Sequence, residues 1–138
     1  MTVVVDASVA ADLVTGDPAA RRRVHERLQP HASDLHAPHL LTAEVGHVVR
    51  RHVLRGAMTA ARGAMALRDL ADMPLQLYPH GLLLQRALEL HANASFYDAL
   101  YLALAELLDA PLLTRDARLV GVPGTRAQVE VIRGELPR

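Results

Sequence analysis

Four of the 15 acidic side chains in this sequence sit where a solvated acid gains nothing. Asp6 closes the β-branched run Val3-Val4-Val5, and Asp116 closes Leu112-Leu113-Thr114. Each therefore ends an apolar strand at its carboxyl side, where open α/β sheets gather their ligands. Glu44 falls between Leu41 and Val48 on the apolar stripe of an amphipathic segment. Asp98 opens a stretch, from Phe96 to Leu108, that is apolar nearly all round and so expected to be buried. Each place also has a structural reading: a turn or cap for Asp6 and Asp116, a partner arginine or a protonated carboxyl for Glu44, and a Ser95-x-x-Asp98 capping box for Asp98. If the four converge at one sheet edge, their mutual repulsion calls for a cation. Ligation by carboxylate oxygens alone selects hard Mg²⁺ or Mn²⁺ over zinc or copper. Such an ion clamps phosphate oxygens and activates water, so the expected chemistry is metal-assisted phosphodiester hydrolysis.

The elements that must position these acids are short. Strands are expected over 3–5, 34–37 (stopped by Pro38), 75–78, 111–114 and 129–132. Helices are expected from Ala7, from the Asp17-Pro18 cap to about Leu28, over 40–55 to Gly56, over 59–71, over 80–91 and, capped by Ser95, over 96–108, with one helical turn over 116–120. Strands alternating with helices predict one α/β domain over residues 1–138, with a mostly parallel sheet of about five strands covered on both faces.

Composition removes competing chemistries. The 138 residues include no cysteine, which excludes thiol catalysis and disulfides and fits a reducing compartment. All 15 basic residues are arginine, so lysine-dependent phosphate loops and Schiff-base or pyridoxal chemistry cannot be built. A dehalogenase-type phosphatase needs Asp-x-Asp after its first strand and a later lysine, and a receiver domain needs the same lysine; Asp6-Ala7-Ser8 meets neither demand. A net charge of zero argues against indiscriminate polyanion binding but leaves room for a local arginine patch. With no basic leader and no long apolar run, no membrane association and a cytoplasmic location are expected.

Read together and in order, Val-Val-Val-Asp6-Ala-Ser8, Leu-Leu-Thr-Ala-Glu44-Val, Ser-Phe-Tyr-Asp98-Ala-Leu-Tyr-Leu-Ala-Leu-Ala and Leu-Leu-Thr114-Arg-Asp116-Ala-Arg-Leu resemble PIN-domain ribonucleases, most of all the VapC toxins of bacterial toxin–antitoxin pairs. The resemblance spans the chain. It implies a Rossmann-like α/β/α sandwich, an endoribonuclease using Mg²⁺ with Mn²⁺ as substitute, and inhibition by a small VapB-type antitoxin whose tail fills the active-site groove. By position, Asp6, Glu44, Asp98 and Asp116 match the acidic quartet. Asp6, Asp98 and Asp116 would hold the metal directly or through water, and Glu44 would ligate or orient the attacking water. Ser8 and Thr114 match the hydroxyl residues that support the quartet. Where some members carry a further acid this chain has Arg118, which leaves the number of ions open. The products would be 5′-phosphate and 3′-hydroxyl ends of an RNA, tRNA or rRNA by expectation. A PIN nuclease of RNA processing and a non-catalytic binding module are the alternatives.

An RNA-cutting enzyme of zero net charge must gather positive charge locally. Arg21, Arg22 and Arg23 with Arg27 on the second helix, Arg50 and Arg51 with Arg55 at the end of the next, and Arg115 are the expected phosphate contacts. Acids and arginines are accordingly expected on separate faces, with Glu26, Asp69, Glu89 and Glu106 on solvated helix surfaces. The eight histidines form no ready metal clip: His36 and His39 flank Pro38, and His47 and His52 diverge on a helix. At 3% aromatics there is no stacking platform, and Tyr97 and Tyr101 are expected in the core or an interface. Leu67, Leu70, Ala71 and Met73 with the segment 82–90 offer apolar surface to a homodimer partner or an antitoxin.

Overall fold

Val3, Val4 and Val5 form β1 and are wholly buried, as the continuous apolar run of a strand covered on both faces requires. The structure, a computed structural model, describes residues 1–134; 135–138, which the single-domain reading included, lie outside the described residues. After β1 (Val3–Val5) come α1 (Ala7–Thr15), α2 (Pro18–Leu28), β2 (Leu35–Pro38), α3 (Leu40–Leu54), α4 (Ala60–Asp72), β3 (Leu75–Tyr78), α5 (Leu84–Glu89), α6 (Phe96–Leu108), β4 (Leu112–Thr114) and β5 (Val129–Val131). The strands lie in the order β3-β2-β1-β4-β5, every neighbouring pair parallel.

That order fixes the layers. The chain steps outward from β1 to β2 to β3 and then returns to the other side of β1. Because strand crossovers are right-handed, reversing direction moves the connecting helices to the opposite face. Thus α6, with α5 packed on it, contacts β1, β2 and β4, while α1 packs with α2, α3 and α4. Sequence signals explain the boundaries: Asp17 accepts the Ala20 N–H at 2.8 Å to start α2 at Pro18, Thr59 caps α4 and Ser95 caps α6. Gly56 takes a φ of +73° just past the end of α3.

Three expectations change. Pro38 does not stop β2 but ends it, because the ladder passes over its missing N–H: the next residue, His39, donates to the Tyr78 carbonyl at 2.9 Å. The helix expected over 80–91 is divided into a turn over 80–82 and the short α5, with Leu83 between them buried at 1 % exposure. Within that segment Leu82, Leu84 and Leu88 are exposed, as is Leu67 on α4, while Leu70 is buried.

The charges also do not separate. Glu106, expected on a solvated face, is 4 % exposed at its side chain and receives both Nε and an NH2 group of Arg86 at 2.7 and 3.0 Å, the Thr125 hydroxyl at 3.0 Å and the Arg126 N–H at 2.7 Å. Arg86 also donates to the Gly124 carbonyl at 2.7 Å, so one ion pair joins α5, α6 and the loop before β5. Arg27 pairs with Glu130 across the fold at 3.1 Å. The Arg86 fork holds the Glu106 carboxyl down to about 2. A depressed acid stabilises the fold above its unfolded pKa and loses that contribution as pH falls through the folded value. Glu106→Gln should therefore cost roughly 2 kcal/mol at neutral pH by denaturant titration, with the gap from wild type closing as pH falls from about 4.5 towards about 2.

Candidate active site

The strand order reverses at β1, which makes β1 and β4 neighbours, and the carboxyl ends of strands at such a reversal are where open α/β sheets gather ligands. Asp6 sits there at 7 % exposure with both carboxylate oxygens engaged. Ser8 Oγ donates to Oδ1 at 2.5 Å, the Val9 N–H to Oδ1 at 3.2 Å, and Thr114 Oγ1 to Oδ2. Asp6 is thus also the cap of α1, whose N-terminal end favours negative charge. Burial nonetheless pushes its carboxyl above the usual range, against the pull of those hydrogen bonds.

Thr114 is wholly buried, and its hydroxyl also accepts the Asp116 N–H at 2.9 Å. Ser8 Oγ likewise accepts the Arg115 N–H at 2.9 Å. Two hydroxyls therefore lock the end of β1 to the end of β4. Asp116 caps the turn that follows by accepting the Arg118 N–H at 2.9 Å. Its carboxylate is also gripped by the Arg118 guanidinium, Nε to Oδ1 at 3.0 Å and an NH2 group to Oδ2 at 2.8 Å, which holds it below the usual range.

Glu44 arrives half-buried from α3, and Tyr101 Oη donates to its Oε1 at 2.6 Å. Burial raises the Glu44 carboxyl most; the Tyr101 hydrogen bond opposes that, and the charges of Asp98 and Asp6 add to it. Ser95 Oγ accepts the Asp98 N–H at 3.1 Å, so the serine half of the capping box is made. The charges of Asp6, after β1, and Asp98, on α6, thus both act on Glu44 on α3, and Arg118 feels both Asp98 and Asp116.

Beside these acids runs an open groove of about 740 Å³, lined among others by Ser8, Glu44, His47, Arg51, Tyr97 and Arg118. Of the arginines expected on RNA, Arg51 lines this groove. Arg50 is exposed elsewhere on α3, and Arg21 and Arg22 are exposed on α2 around a separate depression with Leu13, Pro18 and His25. Arg115 points its guanidinium to Asp12 at 2.9 Å and to the Ile132 carbonyl at 2.8 Å, and the charge of Arg23 also acts on Asp12. Sequence reasoning missed Tyr101, His47 and Arg118 as members of the site. The signal was present for the first two: Tyr101 follows Asp98 by one helical turn, and Glu44, His47 and Arg51 recur at turn spacing along α3.

The donor set suits a hard divalent ion in its chemistry, being all oxygen, like-charged and partly desolvated. Among the described residues, however, no three acidic or imidazole side chains are gathered as the ligands of one ion are, and Asp116 is committed to Arg118. An ion would have to draw that carboxylate away from an arginine that is 88 % exposed, a pairing that solvent already weakens.

A family model for the PIN domain matches residues 3–124. The chain belongs to the PIN-domain family. Ribonuclease VapC1 of Mycobacterium tuberculosis is 40% identical over 131 residues, 94% of this chain and 97% of that protein. Among solved structures, PAE2754 from Pyrobaculum aerophilum superposes with a TM-score of 0.69 at 22% identity, covering 95% of this chain and 84% of that one. A toxin–antitoxin complex from Klebsiella pneumoniae gives 0.69 at 18% identity, covering 95% and 98%. This PIN domain therefore has the expected sandwich, and its curated relatives are VapC ribonucleases.

In this PIN domain the hydroxyl of Thr114 is the joint between two acids, and a methyl in its place strands a buried carboxylate oxygen and an N–H. Thr114→Val should lower unfolding free energy by about 2 kcal/mol, while Thr114→Ser should retain most of the wild-type value in the same urea titration.

Proposed function

We propose that this PIN domain is a Mg²⁺- or Mn²⁺-dependent endoribonuclease acting as the toxin of a toxin–antitoxin pair. The observation that carries the reading is that Glu44 on α3 feels the charges of Asp6 after β1 and Asp98 on α6, beside a groove that Glu44, Arg51 and Arg118 line. The likeness to ribonuclease VapC1 across nearly both full lengths supports the reaction class. The likeness in fold to the toxin of the Klebsiella pneumoniae complex supports a small antitoxin as partner. The exposed leucines Leu67, Leu82, Leu84 and Leu88 are apolar surface for that partner or for a second copy of the chain.

In this mechanism Asp6, Asp98 and Asp116 would hold the ion, with Ser8 and Thr114 fixing the orientation of Asp6. An ion held there would supply positive charge to the phosphate oxygens and a water of lowered pKa. Glu44 suits the role of proton acceptor: Tyr101 occupies Oε1, and the raised carboxyl gives the remaining oxygen, Oε2, the basicity to take a proton from the attacking water. Arg51 and Arg118 neutralise the RNA backbone along the groove. In-line attack at phosphorus then leaves 5′-phosphate and 3′-hydroxyl ends.

Asp6→Asn and Asp98→Asn should each reduce Mg²⁺-dependent RNA cleavage and growth arrest in a bacterial host by at least about 100-fold, the order lost with an essential metal-site group, with far-ultraviolet circular dichroism unchanged. Full cleavage by either variant, or by wild type in chelator, would overturn the mechanism.

A further inference from the structure

Tyr97 is a groove residue that neither packing nor the proposed chemistry uses. It lies on the first turn of α6, directly before Asp98, and is 62% exposed, although an aromatic ring gains most by burial. The other two tyrosines have structural occupations: the Tyr101 hydroxyl bonds Glu44, and the Tyr78 hydroxyl bonds His36 at 2.7 Å. For Tyr97 no hydroxyl partner is found among the described residues, and its ring shares the groove lining with Glu44, His47, Arg51 and Arg118.

An exposed tyrosine in a groove that two arginines also line matches the chemistry of a single RNA strand. A base offers its flat face to the ring, and the phosphates on either side of it meet the cations. A base inside a duplex has both faces covered by its neighbours and cannot offer one. Glu44 and Arg118 border the same groove, and Arg118 grips Asp116, so a base stacked on Tyr97 would lie in the groove that leads to the acids.

Resting on the ribonuclease reading, we propose that Tyr97 is a substrate-binding residue that stacks on the base adjoining the scissile phosphate and thereby restricts the groove to unpaired RNA. One well-placed ring suffices for this, so the shortage of aromatics that argues against an extended stacking platform does not argue against a single stacking point at the cut.

The test measures binding in an Asp6→Asn background with Mg²⁺ present, by fluorescence anisotropy of a labelled single-stranded oligoribonucleotide of mixed sequence and of the same strand annealed to its complement. Tyr97→Ala should weaken single-strand binding roughly 5- to 150-fold, the equivalent of one stacked base, and leave duplex binding unchanged. Tyr97→Phe should keep the wild-type affinity, and 2-aminopurine in the strand should be quenched by the wild-type ring and not in Tyr97→Ala. In the cleaving enzyme, Tyr97→Ala should raise KM with kcat nearly unchanged. Unaltered single-strand affinity in Tyr97→Ala, as for a ring that serves only a protein partner, or equal loss on strand and duplex, overturns the proposal. A protein that binds single strands through Tyr97 yet cuts none removes the ribonuclease reading alone; one that cuts with unchanged KM in Tyr97→Ala removes the stacking alone.

Discussion

Asp6 places a carboxyl group at the end of a central strand where almost no water reaches it, and its neighbours offset the cost of burying it. Two hydroxyls and the Val9 N–H of α1 take up its oxygens, and the hydroxyl partners themselves come from the start of α1 and the end of β4. This requires β1 and β4 to be neighbours, which the reversal of strand order provides. The same reversal places α3 and α6 in different layers, so that Glu44 and Asp98 approach from two sides. A sheet that simply continued outward from β3 would keep β1 and β4 apart, and Thr114 would have no carboxylate to hold.

With no lysine in the chain, every permanent side-chain cation is a guanidinium, whose fork suits paired carboxylate oxygens. The fold uses several of them for its own cohesion: Arg86 on Glu106, Arg115 on Asp12 and Arg27 on Glu130. Zero net charge therefore reflects interleaving rather than an acidic face set against a basic one. The positive charge left beside the acids is local, Arg51 from α3 and Arg118 from the turn after β4, and Arg118 is the one that touches a member of the quartet.

Most of the fold was legible because its signals are local. Val3–Val5, the Asp17-Pro18 start, Gly56 and Ser95 each specify their element from within a few residues, and alternation of strand and helix dictates the parallel sheet. The acids were legible for a related reason, being misplaced with respect to the apolar pattern around them. What failed depended on partners distant in sequence. Glu106 reads as a surface residue of α6 until Arg86 and the loop over 124–126 close over it. Arg115 reads as a free cation until α1 brings Asp12 to it. Tyr97 and Tyr101 are of one residue type on one helix, and only the neighbouring α3 decides that one is buried against Glu44 while the other faces open groove.

The proposed reaction requires a divalent cation to compensate the charges of Asp6, Glu44, Asp98 and Asp116. The most direct measurement is thermal unfolding as a function of Mg²⁺ at constant ionic strength, since an ion that binds only the folded chain stabilises it in a saturable way set by its affinity. Wild type is expected to show a saturable rise in Tm that is lost in Asp6→Asn. A wild-type Tm indifferent to Mg²⁺, or an equal rise in the variant, would contradict the claim.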